Sequence, residues 1–178
     1  TEIYTLSLHD ALPIYWELGI LYERTRAYTE IGQAHKAIKT AQTLIEQRAD
    51  FIPGHNSLAL AYMANDQYED AISTLQTTLE SNLDSSLLRA NLVRFLCLRG
   101  RFDEAETHKI HLLANTSTEP NDLTRKAEAL AYLDDTTAIT DLLATVPPDP
   151  EKENRPVVTG LFHHLVADRK STRLNSSH

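Results

Sequence analysis

AYMANDQYEDAISTLQTTLES, Ala61 to Ser81, decides how the chain is built, because the stretch recurs. Shifted by 34 residues without gaps, it aligns with AYTEIGQAHKAIKTAQTLIEQ from Ala27 and with FLCLRGRFDEAETHKIHLLAN from Phe95. A fixed period of this length marks stacked supersecondary units. The matching columns are Ala27, Ala61 and Phe95; Tyr28, Tyr62 and Leu96; Gly32, Asp66 and Gly100; Ala34, Tyr68 and Phe102; and Ala37, Ala71 and Ala105.

Each column has a physical reading. Gly32, Asp66 and Gly100 fall where a first helix must stop and reverse, and a left-handed backbone is easy for Gly and tolerable for Asp. Ala37, Ala71 and Ala105 fall where two helices cross closely, so a larger side chain would hold them apart. Tyr68 and Phe102 are expected to fill the space beside the turn. Ala71, Ile72, Leu75 and Leu79 recur at helical spacing, giving a second helix one buried stripe and one polar face. One helix pair cannot bury that stripe alone, so neighbouring pairs must stack.

Period and column chemistry together resemble the tetratricopeptide repeat (TPR), a 34-residue helix-turn-helix unit with an aromatic late in its first helix, Gly at the turn and Ala early in its second. The resemblance is specific over Tyr28 to Asn115. It implies an all-α fold, an α-solenoid of antiparallel helix pairs with about three clear repeats and one irregular, at about 18–51, 52–85, 86–119 and 120–147. The family's Trp column is not kept, Trp16 lies outside the register, and no Pro follows the second helices at the expected point.

The fourth unit reads as irregular. LTRKAEALAYLDDTTAITDLLATVPPDP carries Ala131-Tyr132 and then Ala138-Ile139, so Tyr to Ala spans six residues where Tyr62 to Ala71 spans nine. That reading shortens the turn near Asp134 and Asp135 by about one helical turn. Val146 to Pro156 is expected as a loop, and RPVVTGLFHHLVA as the opening of another helix. In the first unit, WELGILYERTRAYTEIG is longer than one first helix needs, which places the helix start only between Pro13 and Leu18.

Both ends resemble translated sequencing-library adapters. DRKSTRLNSSH, Asp168 to His178, matches one adapter codon by codon, and TEIYTLSLHDALPI, Thr1 to Ile14, matches its partner. The opening stretch also lacks the basic start and small-residue cleavage site of a secretory signal. The native material is therefore expected to be Tyr15 to Ala167, a gene fragment open at both ends, and localisation stays unassigned.

Among 178 residues, 25 acidic side chains oppose 17 basic ones, for a net charge of −8. The two end segments carry three charges of each sign, so leaving them out keeps that balance. An acidic surface disfavours nonspecific binding to nucleic acid or anionic membrane. No apolar run approaches the roughly 20 residues needed to cross a bilayer. Cys97 is the single cysteine, which excludes an internal disulfide or a multi-cysteine metal site.

The resemblance implies a function: in this family the first helices line a concave groove that takes an extended peptide or a partner helix. Projected onto this chain, Arg26 with Thr29, Leu60 with Met63, and Arg94 with Cys97 lean toward the groove, and Tyr22, Asn56 and Ala90 lie one turn earlier. The candidate peptide-groove residues are therefore Tyr22, Arg26, Asn56, Leu60, Met63, Arg94 and Cys97. Arginines beside apolar and thioether surface suit a peptide with an acidic group next to an apolar anchor; the alternative is ordinary exposed or half-packed helix residues. The carboxylate clamp of chaperone-binding members needs Lys and Asn at set places, of which only Asn56 is suggestive, so no chaperone-tail binding is expected.

No catalytic, cofactor or metal site is expected. His163 and His164 are adjacent, so on a helix they diverge by about 100 degrees and cannot share one metal. His108 and His111 share a helix face, with Glu104 one turn before, but a surface cluster explains that spacing as well. Cys97, near Arg94 and Arg99, fits a small apolar filler better than a reactive thiol. Glu69, Asp70, Asp103 and Glu104 act most simply as favourable charges at helix N-termini. The chain has no phosphate-binding Gly-rich loop and no nucleophile elbow.

Two functions from different classes follow: a scaffold whose repeats recruit a protein or peptide, or an accessory repeat array of a larger enzyme or transcriptional regulator. Uncapped terminal helices would also favour self-association.

Overall fold

A computed structural model of the chain describes residues 8–145. Eight helices occupy them: α1 (Leu8–Glu30), α2 (Ala34–Gln47), α3 (Ile52–Ala64), α4 (Tyr68–Glu80), α5 (Ser86–Leu98), α6 (Phe102–Ala114), α7 (Pro120–Leu133) and α8 (Thr136–Ala144). The expected loop at Val146 to Pro156, the helix expected from Arg155, His163, His164 and the segment from Asp168 lie outside the described residues.

The chain forms two compact units, Thr1–Ser81 and Asn82–His178. In the first, α1 packs on α2 and α3, α2 on α3, and α3 on α4. In the second, α5 packs on α6 and α7, α6 on α7, and α7 on α8.

One turn is used in all four pairs. Gly32, Asp66, Gly100 and Asp134 have φ of 74°, 59°, 72° and 60°, the left-handed conformation that ends a helix. At each, the following amide reaches back to a carbonyl five residues earlier: Gln33 to Tyr28 at 2.8 Å, Gln67 to Tyr62 at 2.9 Å, Arg101 to Leu96 at 2.9 Å and Asp135 to Leu130 at 3.1 Å. These bonds satisfy carbonyls that the last helical turn would leave without partners.

The fourth pair therefore corrects the reading of a shortened turn. Helices α2, α4, α6 and α8 begin at Ala34, Tyr68, Phe102 and Thr136, evenly 34 residues apart. Leu130, not Tyr132, stands in the Tyr28 column, and Ile139, not Ala138, stands in the alanine column. Pairing Ala-Tyr with Ala-Ile by residue identity hid this register, because the alanine column holds Ile139 here while Ala138 stands one place before it; Asp134 fills the turn as Asp66 does in the second pair. The pair is unusual in other ways: α8 has only nine residues, and Ile replaces Ala at the crossing.

The start of α1 is also corrected. It begins at Leu8, upstream of the expected Pro13 to Leu18 window. Proline costs a helix one hydrogen bond and crowds the preceding turn; α1 bears that cost at Pro13 and continues through it.

Burial follows the columns. Ala37, Ala71, Ala105 and Ile139 are all fully enclosed, as are Leu75 and Leu96. Ile72 and Leu79 complete the stripe of α4. Tyr68 is half-buried and its hydroxyl donates to Asp66 at 2.5 Å. Phe102 instead remains 46 % exposed, so it does not fill the space beside its turn.

Candidate binding surfaces

In the first unit, Tyr22 is a wall of the core. Its ring meets Phe51 edge-on, 5.9 Å between centroids, and both pack against Leu18, Leu21 and Leu44. Arg26 is exposed and held along α1, with ion pairs to Glu23 at 3.1 Å and Glu30 at 3.8 Å and its guanidinium 6.0 Å from the Tyr22 ring. Asn56 is buried, so its side chain is not open to a ligand. Leu60 and Met63 are half-buried on α3 and give that helix apolar and thioether surface.

In the second unit, Arg94 lies over the Phe95 ring at 5.1 Å. Its Nε is enclosed and has no hydrogen-bond partner among the described residues. Cys97 is buried and forms no disulfide. Of the seven candidates, then, Arg26, Leu60, Met63 and Arg94 present surface, while Asn56 and Cys97 are enclosed.

His108 and His111 share α6, but Glu104 does not join them. Arg101 holds the Glu104 carboxylate at 2.6 and 2.8 Å, and that hydrogen bond keeps the carboxyl below its ordinary pKa. Among the described residues no group of three His, Cys, Asp or Glu side chains is placed to hold a metal ion. No helix among them is long and apolar enough to cross a membrane.

A cleft of about 570 Å³ opens between the start of α5 and the last turns of α6, lined by Ser86, Arg89, Thr107, His108, His111 and Asn115 among others. Arg89 is only 8 % exposed. Its Nη2 donates to the Leu83 carbonyl, and its Nη1 lies 3.4 Å from His108 Nδ1. Burial, then the charges of Arg89 and His111, hold the His108 pKa below the ordinary imidazole value, with Glu104 pulling the other way. The neutral ring can therefore accept from Arg89 at Nδ1, which leaves Nε2 carrying the proton.

One sequence signal could have found this cleft. Arg89 occupies the column of Leu21, His55 and Leu123, where two apolar residues make a charge anomalous. His55 makes the equivalent contact one period earlier, its Nε2 lying 2.8 Å from the Ala49 carbonyl.

Beside the cleft, Asp122 gathers the start of α7. It accepts from the Ser86 hydroxyl, from Ser117 Oγ at 2.7 Å and from Arg125 Nη1 at 2.8 Å. The two serine hydroxyls, then Arg125, hold its carboxyl below the usual range. Lys126, 2 % exposed, donates to the carbonyls of Asn115 and Ser117 and so pins the segment between α6 and α7.

No protein-family model matches the chain, and no curated protein matches it. Solved structures do. A Podosopora anserina protein assigned as a kinesin light chain, with nearly identical TPR-like repeats, superposes with a TM-score of 0.60 at 18 % identity, covering 88 % of this chain and 89 % of that one. A point-substituted form of the same protein gives a TM-score of 0.60 at 18 % identity, covering 88 % of each chain. Likeness at this level of identity establishes architecture: the chain has an all-α, TPR-like helical-repeat fold.

Proposed function

We propose that this chain is a binding scaffold that takes a protein segment, as an extended peptide or partner helix, on the exposed faces of its first helices. The observation that carries the reading is Arg94. Its side chain is half-buried on α5, over the Phe95 ring, and among the described residues no carboxylate is within ion-pair distance of its guanidinium, which leaves the group to pair with a ligand. Arg94 sits where the TPR resemblance puts a groove residue, and a carboxylate is the acceptor that fits a guanidinium best. Independently of Arg94, the first unit offers apolar and thioether surface of its own at Leu60 and Met63, and a thioether adapts to varied side chains. A fold of this kind is typically non-catalytic, and the His108, His111 and Glu104 arrangement offers no competing chemistry.

The test is selection of binding peptides from a random library, followed by anisotropy titrations with Arg94→Gln and Met63→Lys. Peptides carrying an acidic residue should emerge and lose at least about tenfold in affinity in Arg94→Gln, and peptides with an apolar anchor should do so in Met63→Lys, an effect of roughly 1.4 kcal/mol in each case. Selected peptides that bind both variants as tightly as the parent would exclude these faces.

A further inference from the structure

We infer that the cleft between α5 and α6 is a carboxylate-binding site, with Arg89 as its anion-recognising group and His108 and His111 as flanking donors. Burying a guanidinium is expensive unless it is paired and fully hydrogen-bonded. Arg89 is nearly enclosed, yet among the described residues it has one backbone carbonyl, one imidazole nitrogen and no carboxylate within ion-pair distance. Four of the described arginines are treated differently: Arg26, Arg48, Arg101 and Arg125 each hold a carboxylate within 3.1 Å. Arg89 instead faces open space of about 570 Å³, enough for a side-chain-sized ligand.

The surrounding groups select the ligand's charge. Arg89 provides one positive charge, and Asp84, also on the lining, offsets part of it. With His108 neutral, the cleft compensates a single negative charge and not a dianion. A planar carboxylate matches the guanidinium fork, and Thr107 and His111 stand on the same lining to complete its hydrogen bonds. The loop contact of Arg89 supports this role, because the bond to the Leu83 carbonyl fixes the guanidinium before any ligand arrives. The site is separate from the faces proposed above, so its failure would leave that reading standing.

The experiment is a titration of the full chain with N-acetylglutamate α-amide, a mimic of one glutamate side chain, followed through the imidazole resonances of His108 and His111. Saturable shifts are expected, lost in Arg89→Gln and weakened severalfold in His111→Ala. Because Arg89 is buried, Arg89→Lys serves as a second variant that retains the charge; it should bind more weakly than the parent but measurably. Inorganic phosphate and chloride form the competing arms. Shifts that rise linearly without saturation, that survive in Arg89→Gln, or that appear with phosphate in preference to the carboxylate would overturn the assignment.

Discussion

Where α3 meets α1 and α2, Gly54 lies so close to its neighbours that a Cβ there would sit 3.2 Å from Phe51 and 3.3 Å from Leu44. Two repeat periods later the equivalent position is Asp122, and the place of Leu18 is taken by Ser86. The first joint closes by apolar contact among Leu18, Leu21, Tyr22, Leu44 and Phe51. The second closes through a carboxylate held by two hydroxyls and an arginine, with Lys126 tying the incoming segment. The same helix and turn register thus supports two sealing chemistries. Backbone geometry is set by the left-handed turn and the tightly packed crossing, and the joint between pairs is free to vary.

The largest effect should come from the apolar joint. Leu44→Ala removes a fully buried side chain and is expected to cost about 2–5 kcal/mol, read by denaturant unfolding. A loss below about 1 kcal/mol would mean that the first joint is not sealed by packing. The polar joint should respond less. Asp122→Ala strips charge-assisted hydrogen bonds from Ser86, Ser117 and Arg125 and is expected to cost roughly 1–3 kcal/mol. The Asp122→Ala variant should also lose the acid sensitivity of that joint; an unchanged pH profile would assign it to another group. Ala71→Leu probes what the two units share. Overpacking the crossing of α3 and α4 should cost about 1–3 kcal/mol, and an unchanged melting midpoint would show that the crossing is not tight.

Much of this architecture was legible in the sequence, for a local reason. A left-handed turn and a close crossing each constrain single residues, so Gly32, Asp66 and Gly100, and Ala37, Ala71 and Ala105, carry the register on their own. The fourth pair is harder to read because Ile139 fits a crossing that holds Ala elsewhere while Ala138 stands one place before it, although Asp134 takes the left-handed turn just as Asp66 does. Phe102 shows the limit of column chemistry, since an aromatic in the Tyr68 column stays nearly half exposed. Candidate surfaces were less legible. Whether Asn56, Cys97 or Arg94 reaches solvent depends on packing from other helices, which periodicity does not specify. The Ser86 and Asp122 pair, 36 residues apart, becomes visible only once α5 and α7 are known to touch.

The two joints differ in chemistry, and they should therefore differ in their response to acid. The hydroxyls of Ser86 and Ser117, then Arg125, hold the folded pKa of Asp122 below its ordinary carboxylate value. Its contribution is therefore full above that ordinary value and lost as pH falls through the lowered folded one. The first joint's cluster of Leu18, Leu21, Leu44, Tyr22 and Phe51 contains no carboxylate. Residue-resolved amide hydrogen exchange, corrected for intrinsic rates and followed from neutral pH down through that range, tests this directly. The expected result is that amides at the start of α7 lose protection before those of α2 and α3. Simultaneous loss, or earlier loss in α2 and α3, would contradict the account.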